Sequence, residues 1–214
     1  MAASSNSPTP LSFAGGTPPS GPSASETLLL LPAGAQTSVS DSLASLVRGF
    51  VDGLGVTVLV VDARFPEQTA PDAGRPGFAE LAAGLATVPA CCQDAGTHWR
   101  IGPGATALDL PMRQLSAKCG AAVSALAGVR DVVVIVAPSL ENSRLGQVMA
   151  GAVDRVLVLV EGRATLRSSL DFCREALAAA GARRVEAILR EEPNWIEVQV
   201  RRCSAWLRSR RRSS

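Results

Sequence analysis

Short, uncharged and mostly apolar runs are the feature of this sequence that most constrains its fold. The clearest are 28–31, 56–61 and 132–137. Each is far shorter than the roughly 18 residues that a membrane-spanning helix needs, and each is long enough for a strand buried on both faces. Amphipathic stretches at helical spacing separate these runs. The pattern predicts an α/β fold, with a doubly wound, mainly parallel sheet and helices on both faces.

The spacing of apolar residues assigns the individual elements. Strands are predicted at 27–31, 56–61, 99–101, 132–136, 155–160 and 184–189. Helices are predicted at 39–54, 77–85, 110–126, 145–152 and 166–180. Because ligands of such sheets bind beyond the carboxyl ends of the strands, the residues that follow each strand are the candidate site.

Composition divides the chain into three segments. Residues 1–25 are almost entirely Ser, Pro, Gly, Ala and Thr, which predicts a disordered arm. Residues 26–191 hold the alternating pattern and form the predicted α/β domain. Residues 192–214 are predicted to be a basic amphipathic tail. The chain has a net charge of +2, but its C-terminal arginines give the tail a strong positive charge and leave the remainder mildly acidic.

The rare residue types exclude several kinds of chemistry. Lys118 is the only lysine, and there is no tyrosine. The five cysteines include no C-x-x-C pair, and there is one histidine, so no metal site is expected. The first 25 residues have neither the basic nor the apolar region of a secretory signal, so a cytoplasmic location with reduced thiols is expected.

Several phrases in order carry a resemblance to a known family. They are LLLLPAGAQTSVSDSLASL, LVVDARFP, RPGFAELAAGL, HWRIGPGA, DVVVIVAPSLENS and VDRVLVLVEGRATLRSSLDFCREALAAAGARRVEAIL. Together, over 26–191, they resemble the cytoplasmic ATPase domain of bacterial tyrosine kinases and polysaccharide co-polymerases, within the wider MinD and ParA family. The resemblance implies a P-loop NTPase-like fold of the MinD/ParA type, with a nucleotide site at the strand ends.

The phosphate loop departs from the pattern that the resemblance implies. A working loop needs glycines for close backbone approach, a lysine for the phosphate charge and a hydroxyl for Mg²⁺. The family alignment places Ala35 at the last glycine, Gln36 at the lysine and Thr37 at the hydroxyl. Only the hydroxyl is kept, and a neutral glutamine amide does not compensate phosphate charge.

The two acidic positions depart as well. The family has two acids one residue apart after the second strand, where this chain has Asp62 and Arg64. Arg64 would compete with Mg²⁺ for the same space, or could instead hold an anion. Val136 stands where an aspartate should orient the metal. We therefore expect a degenerate nucleotide site with Thr37 and Asp62 as its remnants, no catalytic residue, and no bound cofactor or metal.

The resemblance implies a non-catalytic accessory protein of exopolysaccharide, capsule or holdfast biosynthesis and export. Its expected partner is the cytoplasmic part of a membrane chain-length or export protein. The tail could also lie on an anionic bilayer at the inner membrane, whereas nucleic acid is the weaker expectation because the body is acidic. The tail residues concerned are Arg201, Arg202, Trp206, Arg208, Arg210, Arg211 and Arg212.

Two alternatives remain open from the sequence. The first is a weak ATP-binding switch that uses Mg²⁺ with Thr37, Asp62 and Arg64. The second is a positioning protein of the MinD or ParA kind, which would use the basic tail on membrane or DNA.

Overall fold

The predicted succession of strands and helices is present in the computed structural model, which describes residues 25–34, 38–64, 75–106, 108, 110–162 and 165–190. The predicted arm up to residue 24 and the predicted tail lie outside the described residues. Within them the elements are β1 (Glu26–Pro32), α1 (Ser40–Arg48), a π-helical segment (Gly49–Gly53), β2 (Val58–Asp62), α2 (Phe78–Ala83), α3 (Val88–Cys91), β3 (Gln93–Asp94), β4 (Trp99–Ile101), α4 (Met112–Leu126), β5 (Val132–Val136), α5 (Leu145–Ala150), β6 (Arg155–Glu161), α6 (Arg167–Ala179) and β7 (Val185–Arg190).

The strands form one sheet in the order β3-β4-β2-β5-β1-β6-β7. All neighbouring strands pair in parallel except β3 and β4, which are antiparallel. The predicted fold class is therefore confirmed. The interior strand β1 is buried along Leu28–Leu31 because helices cover both sides of it, and this is why its sequence does not alternate.

The two faces of the sheet carry separate apolar clusters. On one side, α1 and the π-helical segment pack against the sheet through Leu46, Val47 and Phe50. We call this side the α1 face. On the other side, helices α2 to α6 pack against alternate strand residues such as Leu29 and Ile135. Successive residues of a strand point to opposite faces, so a residue's position along its strand determines which cluster it joins.

The observed bounds differ from the predictions by a few residues at most, with two additional elements and one change of helix type. Helix α3 and strand β3 were not predicted, since four and two residues are too short for any periodicity. The helix predicted at 39–54 is α-helical only to Arg48 and continues as the π-helical segment. Leu110, the first residue of the helix predicted at 110–126, lies just before α4 and is partly buried.

Two identical hydrogen-bonded links join the starts of neighbouring strands. The backbone and hydroxyl of Thr27 both donate to the Asp154 carboxylate, at 2.9 and 2.7 Å. Thr57 donates in the same way to Asp131, at 2.8 and 2.7 Å. In each case the aspartate N–H donates back to the threonine hydroxyl. These links fix β1 beside β6 and β2 beside β5 at the amino edge of the sheet.

The glycine-containing phrases RPGF and IGPGA contact each other through Glu80. Its carboxylate accepts from the Gly77 N–H at 2.7 Å and, at 2.7–2.9 Å, from the N–H groups of Ala105 and Thr106 and the Thr106 hydroxyl. Burial alone would raise the pKa of Glu80, but these hydrogen bonds outweigh it and lower the pKa to about 2. A Cβ on Gly77 would lie 2.7 Å from the Gly104 Cα, so the two phrases approach too closely for any side chain there.

Three cysteines form a set of buried thiols: Cys91, Cys119 and Cys173. Burial raises the pKa of each of them to about 11. These thiols are packing groups of the core.

Candidate functional site

The carboxyl ends of β2, β5 and β6 bring the predicted site residues to one edge of the sheet. β2 ends at Asp62, β5 at Val136 and β6 at Glu161, and all three residues follow the strand alternation onto the α1 face. Asp62 and Val136 are direct neighbours in the sheet register. Gln36 and Thr37, predicted to belong to this site, lie outside the described residues.

Asp62 and Arg64 form a bidentate ion pair. Arg64 Nε donates to Asp62 Oδ1 at 2.9 Å, Nη2 donates to Oδ2 at 2.8 Å, and the Arg64 N–H also donates to Oδ1 at 3.0 Å. The Asp62 side chain is 8% exposed and that of Arg64 26%. The hydrogen bonds that Arg64 donates to Asp62 raise the pKa of the guanidinium above its ordinary value. The guanidinium of Arg64 is therefore held against the Asp62 carboxylate.

Val136 contributes no polar atom to this edge. It is 1% exposed and belongs to the apolar cluster of the α1 face, between Leu30 of β1 and Asp62 of β2 in the sheet. Its isopropyl group cannot orient a metal ion or a water molecule. Among the described residues, no group of three or more His, Cys, Asp or Glu side chains could hold a metal ion.

Glu161 is a site residue that was not predicted from the sequence. It is buried at the end of β6, and its Oε1 accepts from the Ser38 N–H at 3.3 Å, just before α1. The Glu161 N–H donates to Thr165 Oγ1 at 2.9 Å, which fixes the end of the strand. The signal available in the sequence was a single acidic residue at the end of an apolar strand.

Lys118 does not belong to the site. It lies within α4, on the opposite side of the sheet from α1, and its Nζ donates to the Ala83 carbonyl at 3.0 Å. Across the described part of the chain, no helix combines the length and apolar character needed to cross a bilayer.

Solved structures with this fold include nucleotide-binding proteins and tyrosine kinase domains. The kinase domain of the Escherichia coli tyrosine kinase ETK superimposes with a TM-score of 0.66 at 17% identity, over 78% of this chain and 67% of that chain. The VpsO kinase domain has a TM-score of 0.65 at 16% identity, over 79% and 86% of the two chains. Cobyrinic acid a,c-diamide synthase from Mycobacterium smegmatis, with a bound ATP analogue and magnesium, has a TM-score of 0.63 at 14% identity, over 77% and 72%.

These similarities establish the fold, a mostly parallel seven-stranded sheet covered by helices that this chain shares with the kinase domains and the diamide synthase. No family model matches the sequence. No curated protein sequence matches it either.

Proposed function

We propose that this chain is a non-catalytic member of the P-loop fold, a pseudo-ATPase relative of the tyrosine-kinase-type polysaccharide assembly proteins. It acts by binding, as a cytoplasmic accessory or regulator of exopolysaccharide, capsule or holdfast biosynthesis and export. Its fold is that of tyrosine kinase domains such as those of ETK and VpsO.

The Asp62–Arg64 ion pair carries this proposal. Both oxygens of Asp62, the acid that ends β2, accept hydrogen bonds from one guanidinium group, at 2.8 and 2.9 Å. A metal ion could take this carboxylate only by displacing a bidentate, charge-assisted pair. The described residues therefore do not fit Mg²⁺, and we derive no phosphoryl chemistry for them.

Charge and shape at the neighbouring strand ends support the same conclusion. Glu161 places a buried carboxylate against the Ser38 N–H, close to where the family alignment puts the phosphate loop. A second anion brought to that position would be repelled, and in a buried site this repulsion is weakly screened. Val136 places a buried isopropyl group where the family's metal-orienting aspartate would stand.

Without nucleotide chemistry, the domain is proposed to act by binding a protein partner through its surface. We propose that the partner is the cytoplasmic part of a membrane chain-length or export protein, with the basic tail at an anionic membrane surface nearby. The absence of tyrosine from the sequence removes autophosphorylation on tyrosine as a means of regulation.

Calorimetric titration with Mg-ATP and with Mg-ADP tests the pseudo-ATPase proposal. We expect no heat of binding to the native chain up to millimolar nucleotide. The informative variant is the triple change Gln36→Lys, Arg64→Asp and Val136→Asp, which restores three of the four altered family positions and is expected to gain binding. Micromolar binding by the native chain would overturn the proposal and favour the ATP switch, and loss of that binding in Thr37→Ala would locate it.

A separate experiment tests the proposed partner. The tagged full-length chain is expressed from its own locus, and gently solubilised membranes are searched for a chain-length or export protein that co-purifies with it. Co-purification is expected to persist when nucleotide is removed, because binding is proposed to be independent of it. Recovery of the chain without any envelope polysaccharide component would contradict this part of the proposal.

A further inference from the structure

Strand β7 presents an outer edge to which the described residues contribute no further strand. On its inner side the Val156 N–H donates to the Arg184 carbonyl, at 2.8 Å, and the parallel ladder continues from there along β6. Backbone groups of successive strand residues point in opposite directions. The N–H and C=O groups of Val185, Ala187 and Leu189 therefore point outward.

The same three residues carry exposed apolar side chains. Val185 is 47% exposed and Leu189 60% exposed, and Ala187 between them is exposed as well. By register they stand beside Val156, Val158 and Val160 of β6, on the face opposite α1. An edge with outward hydrogen-bonding groups and an apolar row is one that proteins normally cover.

The sequence that follows β7 has the pattern of a strand to cover this edge. Ile196, Val198 and Val200 alternate with Glu197, Gln199 and Arg201, which is the period of a half-buried strand. Residues 191–194, Glu-Glu-Pro-Asn, separate this run from β7. Four residues that include Pro and Asn suit a hairpin loop.

We propose that residues 195–200 pair with the outer edge of β7 as an antiparallel strand. A four-residue loop sets Leu189 opposite Ile196, Ala187 opposite Val198 and Val185 opposite Val200. In each pair the β7 residue has backbone groups that point outward, and the residue opposite it in 195–200 is apolar. Directly opposite residues of this hydrogen-bonded kind have Cα atoms about 5.5 Å apart, so their side chains touch.

The other face of the strand fits the same register. Trp195, being out of step with Ile196, is directed to the α1 face, where a groove of about 310 Å³ lies between α1 and β7. Leu30, Leu46 and Ile188 are among the residues that line this groove. A slip of one residue would turn Glu197 and Gln199 to the apolar row and remove Trp195 from the groove.

The proposal determines where the arginine-rich end begins. An antiparallel strand that starts beside the end of β7 finishes beside Val185, at the amino edge of the sheet. Arg201 and the arginines after it then start at the edge opposite Asp62, Arg64 and Glu161. The basic segment and the candidate site are thereby placed at opposite edges of the sheet.

Amide hydrogen exchange of the full chain, followed by NMR, tests the pairing. If the strand forms, the amides of Val185, Ala187 and Leu189 exchange about a hundredfold or more slowly than unprotected amides. The amides of Ile196, Val198 and Val200 are expected to be protected to a similar extent. Rapid exchange of the three β7 amides in the native chain would overturn the proposal.

A pair of adjacent substitutions tests the register. Val198→Asp is expected to accelerate exchange at Val185, Ala187 and Leu189 by tenfold or more, about 1.4 kcal/mol of opening free energy. The matched change Gln199→Asp, one residue further along, is expected to leave the exchange rates of these β7 amides within about twofold of the native values, since the side chain of residue 199 points away from the apolar row. Adding Ala187→Lys to Val198→Asp is expected to recover part of the protection through a cross-strand charge pair.

Equal effects of the two aspartate changes would refute the register. Light scattering of the native chain distinguishes a second copy as the occupant. A dimer that Val198→Asp dissociates into monomers with unprotected β7 amides would overturn the intramolecular pairing. A native monomer with protected β7 amides would support it.

Discussion

Replacing Glu80 by Gln is expected to destabilise the protein in a pH-dependent way. The carboxylate accepts four hydrogen bonds from Gly77, Ala105 and Thr106, and the amide nitrogen of glutamine would face one of these donors with a donor of its own. The difference between the ordinary pKa of 4.5 and the pKa of about 2 corresponds to about 3 kcal/mol as an upper bound. Because Glu80 is partly exposed, solvent screening leaves about 1–2 kcal/mol.

The sign of the pH dependence follows from the lowered pKa. A carboxylate whose pKa falls on folding contributes stability at pH values above its unfolded pKa, and this contribution is lost as the pH falls through the folded pKa. The difference in free energy of unfolding between the native chain and Glu80→Gln should therefore be constant from pH 7 to about 5. Below about pH 4.5 it should narrow, and it should be lost near pH 2.

Urea denaturation of both proteins at several pH values between 7 and 3.5 measures this difference. Glu175→Gln, on the exposed side of α6, is the matched control and is expected to change the free energy of unfolding by less than about 0.5 kcal/mol. A Glu80→Gln variant as stable as the native chain at pH 7 would refute the reasoning. So would a difference that stays constant down to pH 3.5.

Three further predictions concern packing, the site and the thiols. Gly77→Ala is expected to lower the free energy of unfolding by about 1–3 kcal/mol because the added Cβ meets the Gly104 backbone. Gly120→Ala, where the added Cβ lies in open space on α4, should raise the free energy of unfolding by about 0.5–1 kcal/mol. Thermal and urea unfolding measure both changes. Arg64→Ala should lower the free energy of unfolding in urea by about 2 kcal/mol or more, because it leaves the Asp62 carboxylate buried without its guanidinium. If the double variant Arg64→Ala with Asp62→Val is no more stable than Arg64→Ala alone, this explanation is wrong. The set of buried thiols should react with a thiol reagent at pH 8 only after urea unfolds the chain, and stoichiometric labelling of these thiols in the native state, located by mass spectrometry, would contradict the assignment.

The fold could be predicted from the sequence because its strands are apolar without interruption. Runs such as 132–136 leave no polar residue to face solvent, which requires cover on both sides and hence a parallel sheet between helices. The same logic fails for Gln93–Asp94, whose pairing with β4 depends on a neighbouring strand and not on its own periodicity. The π-helical turn at Gly49–Gly53 likewise has an apolar spacing close to that of an α-helix.

The candidate site was only partly accessible to sequence reasoning. The family resemblance places Arg64 at a position that is acidic in the family. Two roles were open for this residue from the sequence: competing with Mg²⁺ for the same space, or holding an anion. That its guanidinium closes on Asp62 depends on side-chain geometry, which no pattern encodes. Glu161 was missed because its importance comes from Ser38, which is distant in the chain and close only after folding.

The links of Thr27 to Asp154 and of Thr57 to Asp131 have a consequence for how such a domain can change over evolutionary time. Both lie at the amino edge, so the alignment of the four central strands is held by residues remote from the edge where a ligand would bind. Side chains at the carboxyl edge can then be exchanged without shifting one strand against another. A sheet held in this way keeps its strand alignment while the residues at its carboxyl edge change, so different binding surfaces can be selected on the same fold.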